Sequence, residues 1–442
     1  MTEGPIAKKI CFFSIPLILG NFLQLLYNTV DSIIVGNFLG SHALAAVGST
    51  TSLIFLLVAF SQGASVGAGV VMAQYLGAGN LKNVRATTHT ALAIALLLGL
   101  ILTIGGIFLS RPLLIWMNTP SDVFADSLSY FQLYCGGLLF SVIYNMAAGI
   151  MNAAGNSKRP LYYLGCASII NMILDIVLVN GIGIGINGAA IATDISQFIA
   201  CLFAIKHLID TSADYKIQLS KIAIHRRIAK QIIHIGLPTG IQNMVISFSN
   251  VLVQSGVNSF GAAAMAGFAA FLRIDGFNIL PILSISMAMT TFTGQNYGAG
   301  NIERIKKGIK VVLIMGFSYT IFIGSLVLAF SDPIMRLFSH DASVIAYGRL
   351  AMHYFCPFYF LLGILQGLAG TVRGTGKSIP PMVVLLISLC LFRIIWLQFI
   401  LPLFHSIDGL YALYPVSWAL GMLMMILYAW KGHWLQNTKR VS

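Results

Sequence analysis

Charged side chains are the scarcest feature of this sequence. Only 9% of the 442 residues are charged, 57% are hydrophobic, and the mean hydropathy is +0.86. Soluble domains carry about 25% charged residues, so a water-soluble fold lacks the charge to cover its surface here. Residues 32–81 contain no Asp, Glu, Lys or Arg. A membrane span needs about 20 apolar residues, so this run is long enough for two.

Paired cysteines and enzyme motifs are also missing. The six cysteines fall in apolar stretches without a Cys-x-x-Cys pair, which argues against both a disulfide framework and a zinc site. No His-Glu-x-x-His or intramembrane protease arrangement is present, which disfavours an intramembrane enzyme. The GAGN segments lack the Lys and Ser/Thr of a phosphate-binding loop. We therefore expect no enzyme, no ATP-driven pump, and energy drawn from an ion gradient.

Apolar runs, interrupted by Gly, Pro, Asn and charge clusters, predict an all-α membrane protein with twelve spans. The first run contains Asn21, Gln24, Asn28 and Asp31, so we interpret it as a transmembrane helix and not as a signal peptide. The predicted spans are residues 10–38, 49–74, 88–110, 123–153, 161–180, 188–209, 229–259, 263–296, 309–331, 343–372, 380–403 and 409–431.

Basic residues give the orientation of these spans. Of the 26 Lys and Arg, 21 fall at the N-terminus, in the even-numbered connections or in the C-terminal tail, which includes Lys439 and Arg440. Only Arg111, Arg336 and Arg349 fall near the opposite side of the membrane, and Arg273 and Arg393 fall within spans. The positive-inside rule then predicts that both termini are cytoplasmic. The same placement explains the net charge of +13 without a nucleic-acid partner.

The chain also repeats itself at an offset of 221 residues, half its length. QYLGAGN at 74–80 recurs as QNYGAGN at 295–301, and GIMNAAGNSKRP at 149–160 corresponds to GTVRGTGKSIPP at 370–381. A duplication of six helices keeps both copies in one orientation and usually places a substrate cavity between the halves. The predicted domains are an N-lobe (1–209), a cytoplasmic linker (210–228) and a C-lobe (229–442).

Four acidic residues lie at least five residues inside the ends of predicted spans, where an ionised group costs at least ~2.5–3.5 kcal/mol. They are Asp31, Asp175, Asp194 and Asp275. Near the outer helix ends, Asp31 lies five residues before Gly36 and Asp175 five before Asn180, and Thr193 lies five after Gly188. At 1.5 Å per residue these three side chains are at a similar depth, about 7–8 Å inside those positions. Asn171 precedes Asp175 by four residues and shares its helix face.

The matched depth suggests one site with two chemical interpretations. Carboxylate, amide and hydroxyl oxygens suit a hard cation such as Na⁺. They equally suit a proton, because two nearby carboxylates cannot both be ionised cheaply. A purely structural role, in which these groups tie three helices together, is the alternative.

Several segments together resemble the multidrug and toxic compound extrusion (MATE) family. They include IPLILGNFLQLLYNTVDSIIVGNFLG at 15–40, NMILDIVLVNGIGIGINGAAIAT at 171–193, and the repeated GAGN segments. The resemblance implies two six-helix lobes in a V shape that exchange cationic or amphipathic compounds for Na⁺ or H⁺. It also implies a cation site in the N-lobe, as in one bacterial branch. The positions that match that site are Asp31, Asn171, Asp175 and Thr193.

Further residues are candidates for the substrate cavity, although packing or structural hydrogen bonding is the alternative for each. Gln24, Tyr27 and Asn28 share a helix face with Asp31. The remaining candidates are Asn145, Met146, Asp194, Arg273 and Asp275. Pro16 is predicted to kink the first helix, and the resemblance links it to bending when the acids are neutralised.

The second half lacks the proposed ligands. At the offset of 221, Asn171 corresponds to Phe392, Asp175 to Trp396 and Thr193 to Tyr414. Val253 stands opposite Asp31 when Pro16 is aligned with Pro238, so ion coupling is predicted to reside in the first half alone.

Taken with the resemblance, these features predict a monomeric exporter in the bacterial inner (cell) membrane. Its expected partners are membrane lipid and small cationic or amphipathic substrates, and we expect no cofactor beyond Na⁺ or H⁺ as the coupling ion. A flippase or exporter of lipid-linked or oligosaccharide precursors is the alternative. The few arginines within the spans argue against it.

Overall fold

A computed structural model describes residues 1–404, 406–432 and 434–435, and these residues form helices and no strand. The tail residues Lys439 and Arg440 lie outside this described part. The α-helices are α1 Ile6–Gly77, α2 Leu81–Trp116, α3 Phe124–Ala153, α4 Lys158–Asp175, α5 Ile186–Asp210, α6 Arg226–Asn258, α7 Ala262–Gly298, α8 Ile302–Ala329, α9 Ser331–Arg336, α10 Ala342–Phe355, α11 Tyr359–Gly374, α12 Ile379–Leu386, α13 Phe392–Ile395 and α14 Asp408–Trp430.

Helix α1 contains two membrane spans joined at one glycine. It has 72 residues, and its single non-helical position is Gly40, with φ 83° and ψ −176°. A side chain is disfavoured at this positive φ, whereas glycine adopts it freely. The predicted first and second spans are therefore correct as separate spans. The helix continues through Pro16 without leaving helical geometry.

The predicted twelve spans are confirmed. Ten helical segments of the described chain are long and apolar enough to cross a membrane, and the first of them is the double-length α1. The twelfth span is α6, which has 33 residues but is more polar than the rest. Three spans are composite. Helix α4 continues into the π-helical segment Ile176–Gly181, and a 3₁₀ turn, Cys356–Phe358, joins α10 to α11. Helices α12 and α13 together with short π-helical and 3₁₀ turns form residues 379–403.

The internal repeat reappears in the backbone. Positive φ values occur at three glycine pairs separated by 221 residues, namely Gly40 and Gly261, Gly79 and Gly300, and Gly155 and Gly376. Such a match requires the same turns at the same places in both halves.

A side-chain contact repeats at the same offset. The hydroxyl of Ser65 donates to the carbonyl of Asn145 at 2.6 Å, and that of Ser286 donates to the carbonyl of Gln366 at 2.7 Å. These bonds join neighbouring helices within each half. They exploit Gly149 and Gly370, whose missing side chains let the serines approach.

Two compact units divide the chain. The first unit is residues 15–241, and the second unit is residues 1–14 with 242–442. The predicted lobes followed the sequence repeat and placed the division in the linker at 210–228. In the fold, the beginning of α6 packs with the first unit, because Gly63 and Gly67 of α1 meet Gly236 and Gly240 backbone to backbone.

Each unit has its own apolar core. In the first unit, one cluster surrounds Val35 and Ala46, and another surrounds Phe131 and Cys135. The second unit has a larger core rich in aromatic rings, which include Phe268, Phe355, Tyr411 and Trp418.

Replacing Gly67 by alanine is expected to destabilise the protein. A β-carbon there would lie 2.4 Å from the carbonyl oxygen of Ile232, so α1 and α6 would have to separate. Overpacking of this kind typically costs about 1–3 kcal/mol. Gly105→Ala is the matched control, because a β-carbon at this helical glycine meets no atom within 4 Å. Thermal unfolding in detergent should show a lower Tm for Gly67→Ala only. Equal Tm values for both variants would contradict the close packing.

Candidate functional site

The core of the candidate site is formed by α4 and α5 in the first unit. Asn171 and Asp175 are 0% exposed on α4, and Thr193 is 4% exposed on α5. The side-chain amide of Asn171 donates to the hydroxyl of Thr193 at 3.5 Å, which links the two helices at this depth. Three of the four residues predicted to bind a cation therefore share one buried place.

Asp31 and Tyr27 of α1 complete the group. Asp31 lies close enough to Asp175 for the two carboxylates to repel each other when both are ionised. Tyr27, one turn before Asp31, interacts through its hydroxyl with the Thr193 side chain. The structure thus brings together Asp31, Asn171, Asp175 and Thr193, which the sequence separates by up to 162 positions.

The oxygens of this group are left without hydrogen-bond donors. Among the described residues, no partner is found for Oδ1 of Asp31, Oδ1 of Asn171 or either carboxylate oxygen of Asp175. Buried polar atoms are paired in the great majority of cases. Four unpaired acceptors in one cluster form a place that a cation or a proton would stabilise.

The composition of the cluster limits which ion fits. The described residues contain no group of three or more His, Cys, Asp or Glu side chains arranged to hold a metal ion. The donors here are two carboxylates with a neutral amide and a hydroxyl, and hard oxygens of this kind suit Na⁺ better than a transition metal.

Asp175 stands at a change of helix type. Helix α4 ends at Asp175, and a π-helical segment, Ile176–Gly181, follows immediately. The repeat has a π-helical segment at the corresponding place, Trp396–Ile400. Such segments are rare and frequently occur at functional sites.

The site is bordered by two tyrosines, which the sequence analysis did not identify. Tyr130 and Tyr134 are one turn apart on α3, with ring centroids 6.4 Å apart. Tyr130 is close enough to Asp31 and Asp175 to interact electrostatically, and Tyr134 is close to Asp31 and Asp194. Their four-residue spacing was visible in the sequence, but nothing there indicated which neighbours the shared face meets.

The proposed cavity residues fall into different environments. Gln24 and Asn28 are exposed on α1, whereas Tyr27 is partly buried. Asn145 donates from its side-chain amide to the hydroxyl of Ser61 at 3.1 Å, so it joins α3 to α1. Met146 is 1% exposed and packs in the interior of the first unit.

Asp194 lies beside the cluster but contacts a different helix. Its carboxylate rests against Gly137 of α3, where a β-carbon would lie only 2.0 Å from Oδ1. A glycine at position 137 therefore makes room for the acid. Asp194 also interacts electrostatically with Tyr27, so it borders the site from the α3 side.

The acid of the second unit has a partner. Asp275 is 6% exposed on α7 and accepts a hydrogen bond from the hydroxyl of Tyr359. Arg273 is exposed on the same helix and forms no ion pair with it. The positions that correspond to the first-unit ligands are packed: Val253 is 0% exposed, and the indole of Trp396 donates to the carbonyl of Gly409 at 2.8 Å.

A twelve-span helical bundle with a duplicated six-span unit and unpaired acceptors buried in its spans defines a membrane transporter. Comparison with known proteins identifies its kind. The family model MatE matches this chain twice, over residues 16–177 and 238–397. The chain belongs to the MatE family, which is a family of transporters and not of enzymes.

Individual relatives agree with this assignment. The probable multidrug resistance protein YpnP of Bacillus subtilis is 30% identical over 398 residues, which cover 89% of this chain and 88% of YpnP. The probable multidrug resistance protein NorM of Thermotoga maritima is 27% identical, over 88% of this chain and 84% of NorM. An outward-facing multidrug resistance MATE family transporter of the MOP superfamily shares the fold, with a TM-score of 0.90 at 23% identity, over 97% of this chain and 96% of that chain.

Asp175→Asn tests the prediction that a bound cation or proton stabilises the folded protein at this cluster. A ligand that binds only the native state raises its stability by about 2.7 kcal/mol at 100 times its Kd. Wild-type protein in detergent should therefore gain in Tm when Na⁺ replaces choline or, for a proton site, when the pH falls from neutral to mildly acidic. Asp275→Asn, which alters a carboxylate that already has a donor, should keep the response. An unchanged ion response in Asp175→Asn would contradict the site.

Proposed function

We propose that this protein is an antiporter that exports cationic or amphipathic small organic molecules in exchange for Na⁺ or H⁺. The observation that supports this most strongly is the set of four unpaired acceptor oxygens on Asp31, Asn171 and Asp175. Asp175 is buried and Asp31 is partly buried, so ionising both without donors is costly, and a bound cation or proton would stabilise them. Release of that ion restores the free-energy cost of the unpaired carboxylates. An ion gradient can therefore drive the exchange between the ion-bound and ion-free states.

In the proposed cycle, each residue has a role in ion exchange. Asp31 and Asp175 carry the charge that the ion neutralises. The Oδ1 atom of Asn171 and the hydroxyl of Thr193 supply neutral oxygens. The side-chain amide nitrogen of Asn171 donates to that hydroxyl and so links α4 to α5. Binding of a cationic substrate near these acids would favour release of the ion by competition for the same negative charge.

The polar face of α1 supports a substrate route beside this site. Gln24 and Asn28 are exposed on the same helix face as Asp31, and Tyr27, Tyr130 and Tyr134 provide aromatic rings near the acids. Aromatic faces attract organic cations and tolerate varied shapes. This combination favours a broad range of amphipathic cations over one specific solute.

In the second unit, the described positions that correspond to the first-unit ligands carry no acid. Its buried acid, Asp275, accepts a hydrogen bond from Tyr359. Its counterparts to the first-unit ligands are Val253, Phe392, Trp396 and Tyr414, which are apolar or aromatic. We therefore propose that coupling belongs to the first unit alone.

The distribution of basic residues supports a location in the bacterial cell membrane with both termini in the cytoplasm. Most Lys and Arg residues lie at the N-terminus, in the C-terminal tail, or in the connections that follow even-numbered spans, all of which are on one side of the membrane. We propose that the protein functions there as a monomer, since each unit encloses its own core.

Expression in an efflux-deficient bacterium should lower the accumulation of ethidium, a fluorescent organic cation. The export is driven by an ion gradient, so a protonophore or a sodium ionophore should restore accumulation. Fluorescence of intact cells is the measurement, with cells carrying an empty vector as the control. Unchanged accumulation across a chemically varied panel of cations, at verified membrane expression, would contradict multidrug export.

Asp31→Asn and Asp175→Asn are each expected to abolish ion-driven transport and leave folded protein in the membrane, because the amide has the same shape but no charge to exchange. Asn171→Ala and Thr193→Ala should weaken the ion dependence more mildly, since each removes one neutral oxygen. Asp275→Asn should leave transport coupled. The measurement is the ratio of ion flux to drug flux in proteoliposomes with Na⁺ and H⁺ gradients imposed separately. Uncoupling by Asp275→Asn and not by Asp31→Asn would place the ion site in the second unit.

A further inference from the structure

Arg393 is a buried cation in the middle of a span of the second unit. It lies in the short helix α13, between the π-helical segments Ile387–Leu391 and Trp396–Ile400, and is 4% exposed. Residues 379–403 form one span, so Arg393 is roughly 21 Å from one end and 15 Å from the other at 1.5 Å per residue. Arginine at this depth is expensive and usually marks a functional group.

All the groups that contact its guanidinium are neutral. Nε donates to the hydroxyl of Ser417 at 3.3 Å, and Nη1 donates to Oδ1 of Asn250 at 3.2 Å. The guanidinium carbon lies 4.5 Å from the centre of the Tyr414 ring. These contacts hold the group in place, but none of them neutralises its charge.

The negative charge that normally accompanies a buried arginine is missing. No carboxylate of the described residues forms an ion pair with Arg393. Asp275, the buried acid of this unit, is bonded to Tyr359 instead. The Nη2 atom has no hydrogen-bond acceptor among the described residues. A buried cation without an acid is strongly unfavourable, so a counter-charge from a ligand would stabilise it.

Asn250 connects this cation to an accessible surface. It is exposed, and on α6 it shares one face with Asn243, Ser247 and Gln254, which fall within about 60° of one another at 3.6 residues per turn. Four polar residues on one face of a transmembrane helix indicate contact with water, because polar groups are rare against lipid. The guanidinium is therefore one side chain away from a wetted face.

We propose that Arg393, together with Asn250, binds the acidic group of a substrate, a carboxylate or a phosphate on an otherwise amphipathic molecule. The planar guanidinium, fixed by Ser417 and Tyr414, presents its remaining donor in the geometry that such oxyanions accept. The inference rests on the proposed function and widens its cargo from organic cations to zwitterions. Lipid phosphates offer the same chemistry, but headgroups lie at the ends of a span and Arg393 lies near its middle.

The test uses two dyes that differ in one group. Rhodamine 110 carries a free carboxylate, and rhodamine 123 is its methyl ester. Binding to purified protein is measured by fluorescence anisotropy without an ion gradient, so a failure of ion coupling does not affect the result. Arg393→Gln should weaken rhodamine 110 binding about tenfold or more, which is the effect expected for a lost charged hydrogen bond, and should change rhodamine 123 binding far less. Arg393→Lys should retain part of the preference.

Asn250→Asp provides a second variant that preserves the arginine. The new carboxylate would pair with Arg393 and compete with the dye, so the preference for rhodamine 110 should disappear while rhodamine 123 still binds. Nanodiscs of phosphatidylcholine and of phosphatidylglycerol give the two arms of the measurement. A preference lost only in phosphatidylglycerol would assign the site to an anionic lipid headgroup and overturn the proposal. So would no binding of rhodamine 110 by wild-type protein, equal changes for both dyes in Arg393→Gln, or a selective loss with Arg273→Gln in place of Arg393→Gln.

Discussion

The proposed ion site depends on one physical constraint, the cost of leaving polar groups unpaired inside an apolar bundle. Most hydroxyls in the spans satisfy themselves on their own helix, as Thr29 does with the carbonyl of Leu25 and Ser32 with that of Asn28. Such bonds need no partner from outside. The oxygens of Asp31, Asn171 and Asp175 lack this local solution. A bound cation or proton would offset this cost, and the proposed ion site rests on this reasoning.

The internal repeat preserved the backbone and changed the chemistry. Both halves retain the serine-to-carbonyl bonds of Ser65 and Ser286 and the same glycine turns. The first unit uses the position of Asp175 for a carboxylate, whereas the second unit fills the corresponding position with the packed indole of Trp396. Duplicated backbones supply equivalent positions, and the side chains at those positions give each unit a separate role.

Helices α1 and α6 begin in one unit and continue in the other. Residues 1–14 belong to the second unit, where the Arg304 guanidinium donates to the carbonyls of Glu3 and Gly4 at 3.0 and 2.8 Å. The first sixteen residues of α6, up to Ile241, belong to the first unit. Pro16 and Pro238 lie within a few residues of these two crossings. Proline removes a backbone hydrogen bond, so each helix is weakened near the place where it passes between units.

The sequence alone determined the helical class, the twelve spans and the repeat, because the length and apolarity of a span and an offset of 221 are properties of the chain in one dimension. It also placed Asp31, Asp175 and Thr193 at one depth. Only the tertiary structure decided which polar groups meet. Tyr130 approaches the acids, Asp275 is bonded to Tyr359, and Arg393 forms no ion pair with a carboxylate of the described residues. These outcomes depend on how helices far apart in the chain rotate and pack against one another, and helical periodicity gives the face of a residue but not the neighbour opposite it.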